Sequence, residues 1–295
     1  MDTTEVGSSR AVPAGTRRAG AVRRAARELA FVATLFLAYK AGRVAVAGRT
    51  GTALANGELV WRLERLLHLP GEALVQQPLL GHELLVRLAN SYYAYVHFPA
   101  TAICLVWLYA RRPAHYHRLR RALAALTAAA FVLHALVPLA PPRMTALTGL
   151  VDTGRRYGPA VYGSPEADTL SNQYAAMPSL HVGWALAVAV ALVAVTAGRL
   201  RWLWLAHPIV TLLVVVATGN HYWLDGVVAV ALLVPILAVL PRPPRVHRTV
   251  AVPTPGGPLR PHLVDRRRYA GHGGRRRSRA GSAGGGRRFR PPGRG

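Results

Sequence analysis

Met177-Pro178-Ser179-Leu180-His181 and Gly219-Asn220-His221-Tyr222-Trp223-Leu224-Asp225 each open onto a long apolar segment. A histidine at the mouth of one apolar run recurs at a second, joined there by an aspartate one helical turn later. Such groups are expensive to bury. The two stretches are read as one active site, and the segments behind them as membrane-crossing helices.

The rest of the chain fits a membrane setting. Over 295 residues it is 52% hydrophobic and carries 37 basic against 12 acidic side chains, too apolar and too lopsided in charge for an ordinary soluble enzyme. The apolar residues gather into runs near the ~20 residues needed to cross a bilayer, while the arginines sit in ends and connections. The single cysteine, Cys104, lies inside such a run, which excludes an intrachain disulfide and predicts an apolar packing thiol. No small-residue cleavage site follows the arginine-rich start, so the first span is expected to be an uncleaved signal anchor.

Taken in order, residues 1–24 form a basic arm expected to be disordered. Residues 25–240 hold the membrane domain, and 241–295 form an Arg/Gly/Pro-rich tail, also expected to be disordered. The expected spans cover about 25–47, 91–109, 122–139, 181–197, 203–218 and 224–240. Before the second, Leu59, Leu63, Leu66 and Leu67 recur at helical spacing beside Arg62, Glu64 and Arg65, which predicts an amphipathic helix lying on the membrane or against the bundle rather than crossing it. Pro70-Gly71 and Pro78 are expected to break it, with a short helix over 79–88. The fold class is therefore all-α: an integral membrane bundle of six transmembrane helices with an amphipathic interfacial helix and disordered basic termini.

Charge sets an orientation independently of the chemistry. With six spans, the N-terminal arm, the expected loop 111–121, the turn Gly198-Arg199-Leu200-Arg201 and the tail all fall on one side, which the positive-inside rule makes the cytoplasm. Both termini are then cytoplasmic in a multi-pass plasma-membrane protein. Arg143, His181 and His221 converge on the opposite, extracytoplasmic face.

His221 and Asp225 sit four positions apart on one helical face. A carboxylate on one imidazole nitrogen fixes the tautomer and leaves the other nitrogen free to attack an electrophile. His181, from another helix, can act as general acid and then general base. Arg143 offers a planar donor fork for phosphoryl oxygens. Each residue also has a plainer reading: Ser179 as a helix cap, Arg143 as a headgroup anchor, His181 as a hydrogen-bonded boundary residue. Two histidines and an aspartate can also ligate zinc, although no His-Glu-x-x-His pattern or cysteine pair accompanies them. No Gly-x-Ser-x-Gly elbow surrounds Ser179 to make it a hydrolase nucleophile.

From about Leu59 to Leu240 the chain resembles the type 2 phosphatidic acid phosphatase superfamily, and within it the inositol phosphorylceramide synthase-like, inositolphosphotransferase branch. The resemblance is carried by the run from Asn172 to His181, the run from Thr218 to Asp225, and Ala140-Pro141-Pro142-Arg143. It implies a metal-independent enzyme without cofactor, a phosphohistidine on His221, leaving-group protonation by His181, orientation by Asp225 and substrate binding by Arg143, with Ser179 and Asn220 in the matched motifs also assigned to substrate. His97 and Tyr93, one turn apart, either line the pocket or anchor at the interface.

Two cations of the superfamily pattern are replaced by Leu136 and Val215, which favours phosphodiester or head-group transfer over hydrolysis of a dianionic monoester. Arg155 and Arg156 stand in the same outer loop and can either compensate or face water. The expected partners are a lipid phosphate or phospholipid head group and the membrane itself. The tail is expected either to meet anionic lipids by charge or to stay solvated and enforce topology, without specific nucleic-acid recognition. The rival reading is a non-catalytic lipid-phosphate carrier or membrane scaffold.

Overall fold

The computed structural model describes residues 48–163 and 172–243, with a few helical positions between 22 and 37. Most of the expected first span and of the basic arm, and the tail beyond Pro243, lie outside the described residues; Val22 and Arg23, assigned to the arm, are helical. The helices are α1 (Thr50–Leu66), α2 (Glu72–Leu80), α3 (Glu83–Tyr95), α4 (His97–Arg111), α5 (Pro113–Leu136), α6 (Thr153–Tyr157), α7 (Leu180–Val195), α8 (Ala206–Ala217) and α9 (Trp223–Val239). A 3-10 segment, Arg199–Leu205, leads directly into α8. Among the described residues there is no strand, only an isolated parallel bridge between Leu139 and Ala175.

Among the described residues the apolar helices differ in length. Pro113–Leu136 and the run Arg199–Ala217 are long and apolar enough to cross a membrane, and α3 with α4 makes a third if that pair, bent by 45°, is one span. The bend falls at Val96, where an unbroken crossing was expected. Pro99 has no N–H for the Tyr95 carbonyl, and its ring crowds the preceding turn. Helices α7 and α9 are apolar but only 16 and 17 residues long. The expected basic loop 111–121 shrinks, because Pro113 occupies the first turn of α5 and the arginines that follow continue the helix. Pro78, expected as a breaker, sits near the end of α2, where one lost hydrogen bond shortens the helix rather than dividing it.

Helix α7 lies at the centre, packed against α4, α5, α8 and α9. Leu119, Leu123 and Leu126, one stripe of α5, cluster with Ala187 and Val188 of α7 and Leu233 of α9. Cys104 is buried in the same cluster as a free thiol. Trp184 donates its indole N–H to Thr127 at 3.1 Å, so the polar end of the ring is satisfied inside the apolar layer.

The connection between α5 and α7 is held by buried amides. Gln76 donates to the carbonyls of Val151 and Ala217 at 3.0 and 3.1 Å and accepts from the Val151 N–H at 2.8 Å. Asn90 donates to the carbonyls of Thr153 and Gly158 at 2.9 and 3.0 Å and accepts from the Thr153 hydroxyl. Each spends its hydrogen-bonding capacity on loop backbone and neighbouring hydroxyl groups, the condition for tolerating a buried amide.

Helix α1 is two-faced. Leu59, Leu63 and Leu66 are exposed, whereas Glu64 is fully buried. Glu64 accepts the Leu224 N–H at 2.8 Å and so caps the start of α9 from another helix. Glu72 is buried beside it, and Arg65 stands 3.6 Å from each carboxylate. Burial, reinforced by the neighbouring Glu72, pushes Glu64 up to about 9. Arg65, between the two carboxyl groups, is the basic group beside them. At its other end α9 is capped by Arg118 of α5, which donates to the Leu237 carbonyl at 2.6 Å. Close approach of α1 depends on Gly57, where a Cβ would lie 2.7 Å from the Thr145 hydroxyl and 3.1 Å from the Tyr222 hydroxyl.

Two outcomes follow for stability. Folded Glu64 keeps a proton that the unfolded chain releases above its ordinary value of 4.5, so stability declines as pH rises from there towards about 9. Glu64→Gln keeps an acceptor for Leu224 and removes this titration; its melting midpoint in detergent should fall less steeply with pH than that of the wild type, and parallel profiles would refute the retained proton on Glu64. Gly57→Ala should destabilise by about 1–3 kcal/mol through overpacking, read as a lowered midpoint at any pH.

Candidate active site

The site is built where three connections meet at one end of the bundle. Gly219 adopts φ 69°, the left-handed region that favours glycine, and its carbonyl accepts the Arg143 N–H at 2.9 Å. A Cβ at Gly219 would lie 3.1 Å from that of Arg143, so the turn carrying Asn220 and His221 closes directly against the arginine. From the other side, the Ser179 N–H donates to the Asp225 carbonyl at 3.0 Å, which joins the start of α7 to the first turn of α9.

His221 is buried, and its Nδ1 faces two acceptors: the Ala176 carbonyl at 2.9 Å and Asp225 Oδ2 at 3.1 Å. An imidazole nitrogen flanked only by acceptors carries the proton, so in the neutral ring Nε2 holds the lone pair. Asp225 is itself fixed, because Oδ2 also accepts the Tyr222 N–H at 2.9 Å in a reciprocal cap at the start of α9. Its Oδ1 is buried with no hydrogen bond among the described residues.

The His181 ring lies 5.8 Å from that of His221, centroid to centroid, inclined by 58°. Behind it stands a wall of rings: Tyr93 stacked at 4.5 Å, His97 at 4.7 Å and Phe98 edge-on at 6.2 Å. His97 is buried, and its Nδ1 has no hydrogen-bond partner among the described residues. His97 and Tyr93 therefore sit against His181 rather than at a distant interface.

Arg143 is almost enclosed, its side chain 4% exposed. It donates through Nη1 to Asn220 Oδ1 at 2.8 Å and through Nη2 to Gln173 Oε1 at 3.3 Å. Asn220 is oriented by its donation to the Thr218 hydroxyl at 2.8 Å. Ser179 is fully buried and its oxygen accepts the Val182 N–H at 3.4 Å, so the hydroxyl is engaged as the cap of α7. Arg155 and Arg156 lie exposed on α6.

Several site residues escaped the sequence reading. His134 of α5 is buried, hydrogen-bonds the Pro178 backbone and lies close enough to His221 to interact with it electrostatically. Asp152 and Tyr162 surround Arg143: an Asp152 oxygen is 3.5 Å from Nε, and the Tyr162 ring lies 3.8 Å from the guanidinium carbon. None is in a recognisable motif, and only His134, an imidazole in an apolar run, leaves any trace in the sequence. Among the described residues no group of three or more His, Cys, Asp or Glu side chains is placed to hold a metal ion.

A helical protein with apolar segments, a tautomer-fixed imidazole, a second imidazole and an enclosed guanidinium has the parts of a membrane phosphoryl-transfer enzyme. The family profile of the PAP2 superfamily matches residues 58–239, and the chain belongs to that superfamily of type 2 phosphatidic acid phosphatases. No curated protein and no solved structure matches the chain. Membership and the apolar helices together support an integral membrane phosphoesterase of the lipid-phosphate class.

The tautomer is directly measurable. In 15N spectra of histidine-labelled protein, His221 should show a protonated Nδ1 and an unprotonated Nε2, and Asp225→Asn should shift that balance. A wild-type His221 with protonated Nε2 in its neutral form would contradict the assignment.

Proposed function

We propose that the chain is a membrane phosphotransferase or phosphatase, inositolphosphotransferase-like in preferring head-group transfer, which works through a phosphohistidine on His221. The observation that carries this reading is the pair of acceptors at His221 Nδ1, which leaves Nε2 as the nucleophile. Nε2 attacks phosphorus in line with the leaving oxygen, and the Asp225 carboxylate stabilises the imidazolium that forms. His181 gives its proton to the leaving alcohol, then takes one from water or a polyol hydroxyl as that oxygen attacks the phosphohistidine. Arg143 receives the non-bridging oxygens, exchanging its bonds to Asn220 and Gln173 for the substrate. Residues His97 and Tyr93 line the pocket behind His181. No metal ion is needed for these steps.

The head-group preference is supported by a low count of positive charge: Leu136 and Val215 stand where the superfamily pattern places cations. In the bilayer we assign the site to the extracytoplasmic face, in a six-span topology with α1 at the interface and both termini cytoplasmic. The support is the placement of basic groups: Arg118 reaches the end of α9 remote from His221.

Purified wild type, His221→Ala, His181→Ala and Asp225→Asn should be assayed with lipid phosphomonoesters and phosphodiesters, with and without chelator. His221→Ala should abolish turnover, and Asp225→Asn should lower it on the order of 10³-fold or more. Chelator should have no effect, and acid-labile phosphate should be trapped on the wild type alone. Unchanged turnover in His221→Ala would end the mechanism, and loss of activity with chelator would favour a metal. Lipid transport across vesicles without product would favour a carrier.

A further inference from the structure

All three guanidinium nitrogens of Arg143 face protein groups. Besides Asn220 and Gln173, the third neighbour is Asp152, whose Oδ2 lies 3.5 Å from Nε in an ion pair without hydrogen-bond geometry. Asp152 is itself held in place. Its Oδ1 accepts the Tyr162 hydroxyl at 2.7 Å and the Arg155 N–H at 3.0 Å, the latter as the N-cap of α6. Tyr162 then lies across the guanidinium face, so a carboxylate and a ring enclose one cation together. The amides of Gln76 and Asn90 anchor this loop to α2 and α3, which fixes the carboxylate rather than leaving it to swing into solvent.

We propose that Asp152 determines specificity by charge: its carboxylate offsets the Arg143 guanidinium, so that the site takes a singly charged phosphodiester in preference to a doubly charged phosphomonoester. The proposal rests on the reading of Arg143 as the phosphate-binding group. A fixed anion this close lowers the positive potential seen by a ligand, and the second charge of a monoester is opposed where that of a diester does not exist. Repulsion of an ill-matched anion is as effective a route to selectivity as attraction of the right one. Among the described residues the partners of Asp152 are Arg143, Tyr162 and the Arg155 N–H rather than either imidazole, so it acts through Arg143 and the ligand's charge and takes no part in bond making.

The test uses the purified full chain in detergent with two small ligands of similar shape, methyl phosphate and dimethyl phosphate, at a pH where the first is doubly charged. Binding is read by titration, with no lipid substrate required. The wild type should favour dimethyl phosphate. Asp152→Asn keeps an N-cap side chain for α6 and removes the charge; it should tighten methyl phosphate by about tenfold and change dimethyl phosphate far less. Asp152→Ser, which also caps helices well, should do the same, and Asp152→Glu should restore the wild-type preference. Equal shifts for both ligands, or none, in the neutral variants would overturn the proposal and leave the phosphate site standing. A wild type that binds neither ligand would remove the phosphate site, and the proposal with it.

Discussion

The bifurcated contact at His221 Nδ1 is the constraint on which the rest of the site depends. One acceptor is a backbone carbonyl, Ala176, and the other a carboxylate on the same helix, Asp225. A backbone acceptor cannot change its protonation, so it keeps one constant acceptor at Nδ1 while the carboxylate supplies the second. For both acceptors to reach one nitrogen, the segment before α7 must lie alongside the start of α9. The Ser179 to Asp225 backbone bond and the Leu139 to Ala175 bridge bring it there. The reactive geometry is thus written largely in backbone, which sequence variation at the surface does not touch.

Around that contact the protein arranges charge sparingly. Two imidazoles, one guanidinium and two carboxylates surround the place where a phosphate would sit, and the described loop adds Arg155 and Arg156 only at its exposed side. Glu64 and Glu72 have one arginine, Arg65, in common, which lowers the cost of burying two carboxyl groups together. The low total makes local differences matter. One carboxylate beside one guanidinium is a large fraction of the field in such a place.

What could be read from sequence divides along physical lines. The His221 and Asp225 pairing was legible because helix geometry alone brings positions four apart together, and Ser179 as a cap was legible for the same local reason. The all-helical class followed from apolar runs. The bend at Val96 was missed although its cause, Pro99, was in plain view, because hydropathy averages over a single backbone breaker. The two-faced character of α1 was legible from the period of its leucines and charges, but the burial of Glu64 was not, since its partner Leu224 lies 160 residues on. Asp152, Tyr162 and His134 were not legible at all, since their partners are chosen by tertiary packing across many residues of chain.

The two ends of α9 are gripped from outside the helix, by Glu64 at Leu224 and by Arg118 at Leu237. Negative charge at the start and positive charge at the finish both complement the helix dipole. A slide of one residue along the axis, about 1.5 Å, would break both grips at once, so this helix has no piston freedom. Asp225 rides in the first turn of this helix, so the two end grips also hold its carboxylate in register with the His221 ring.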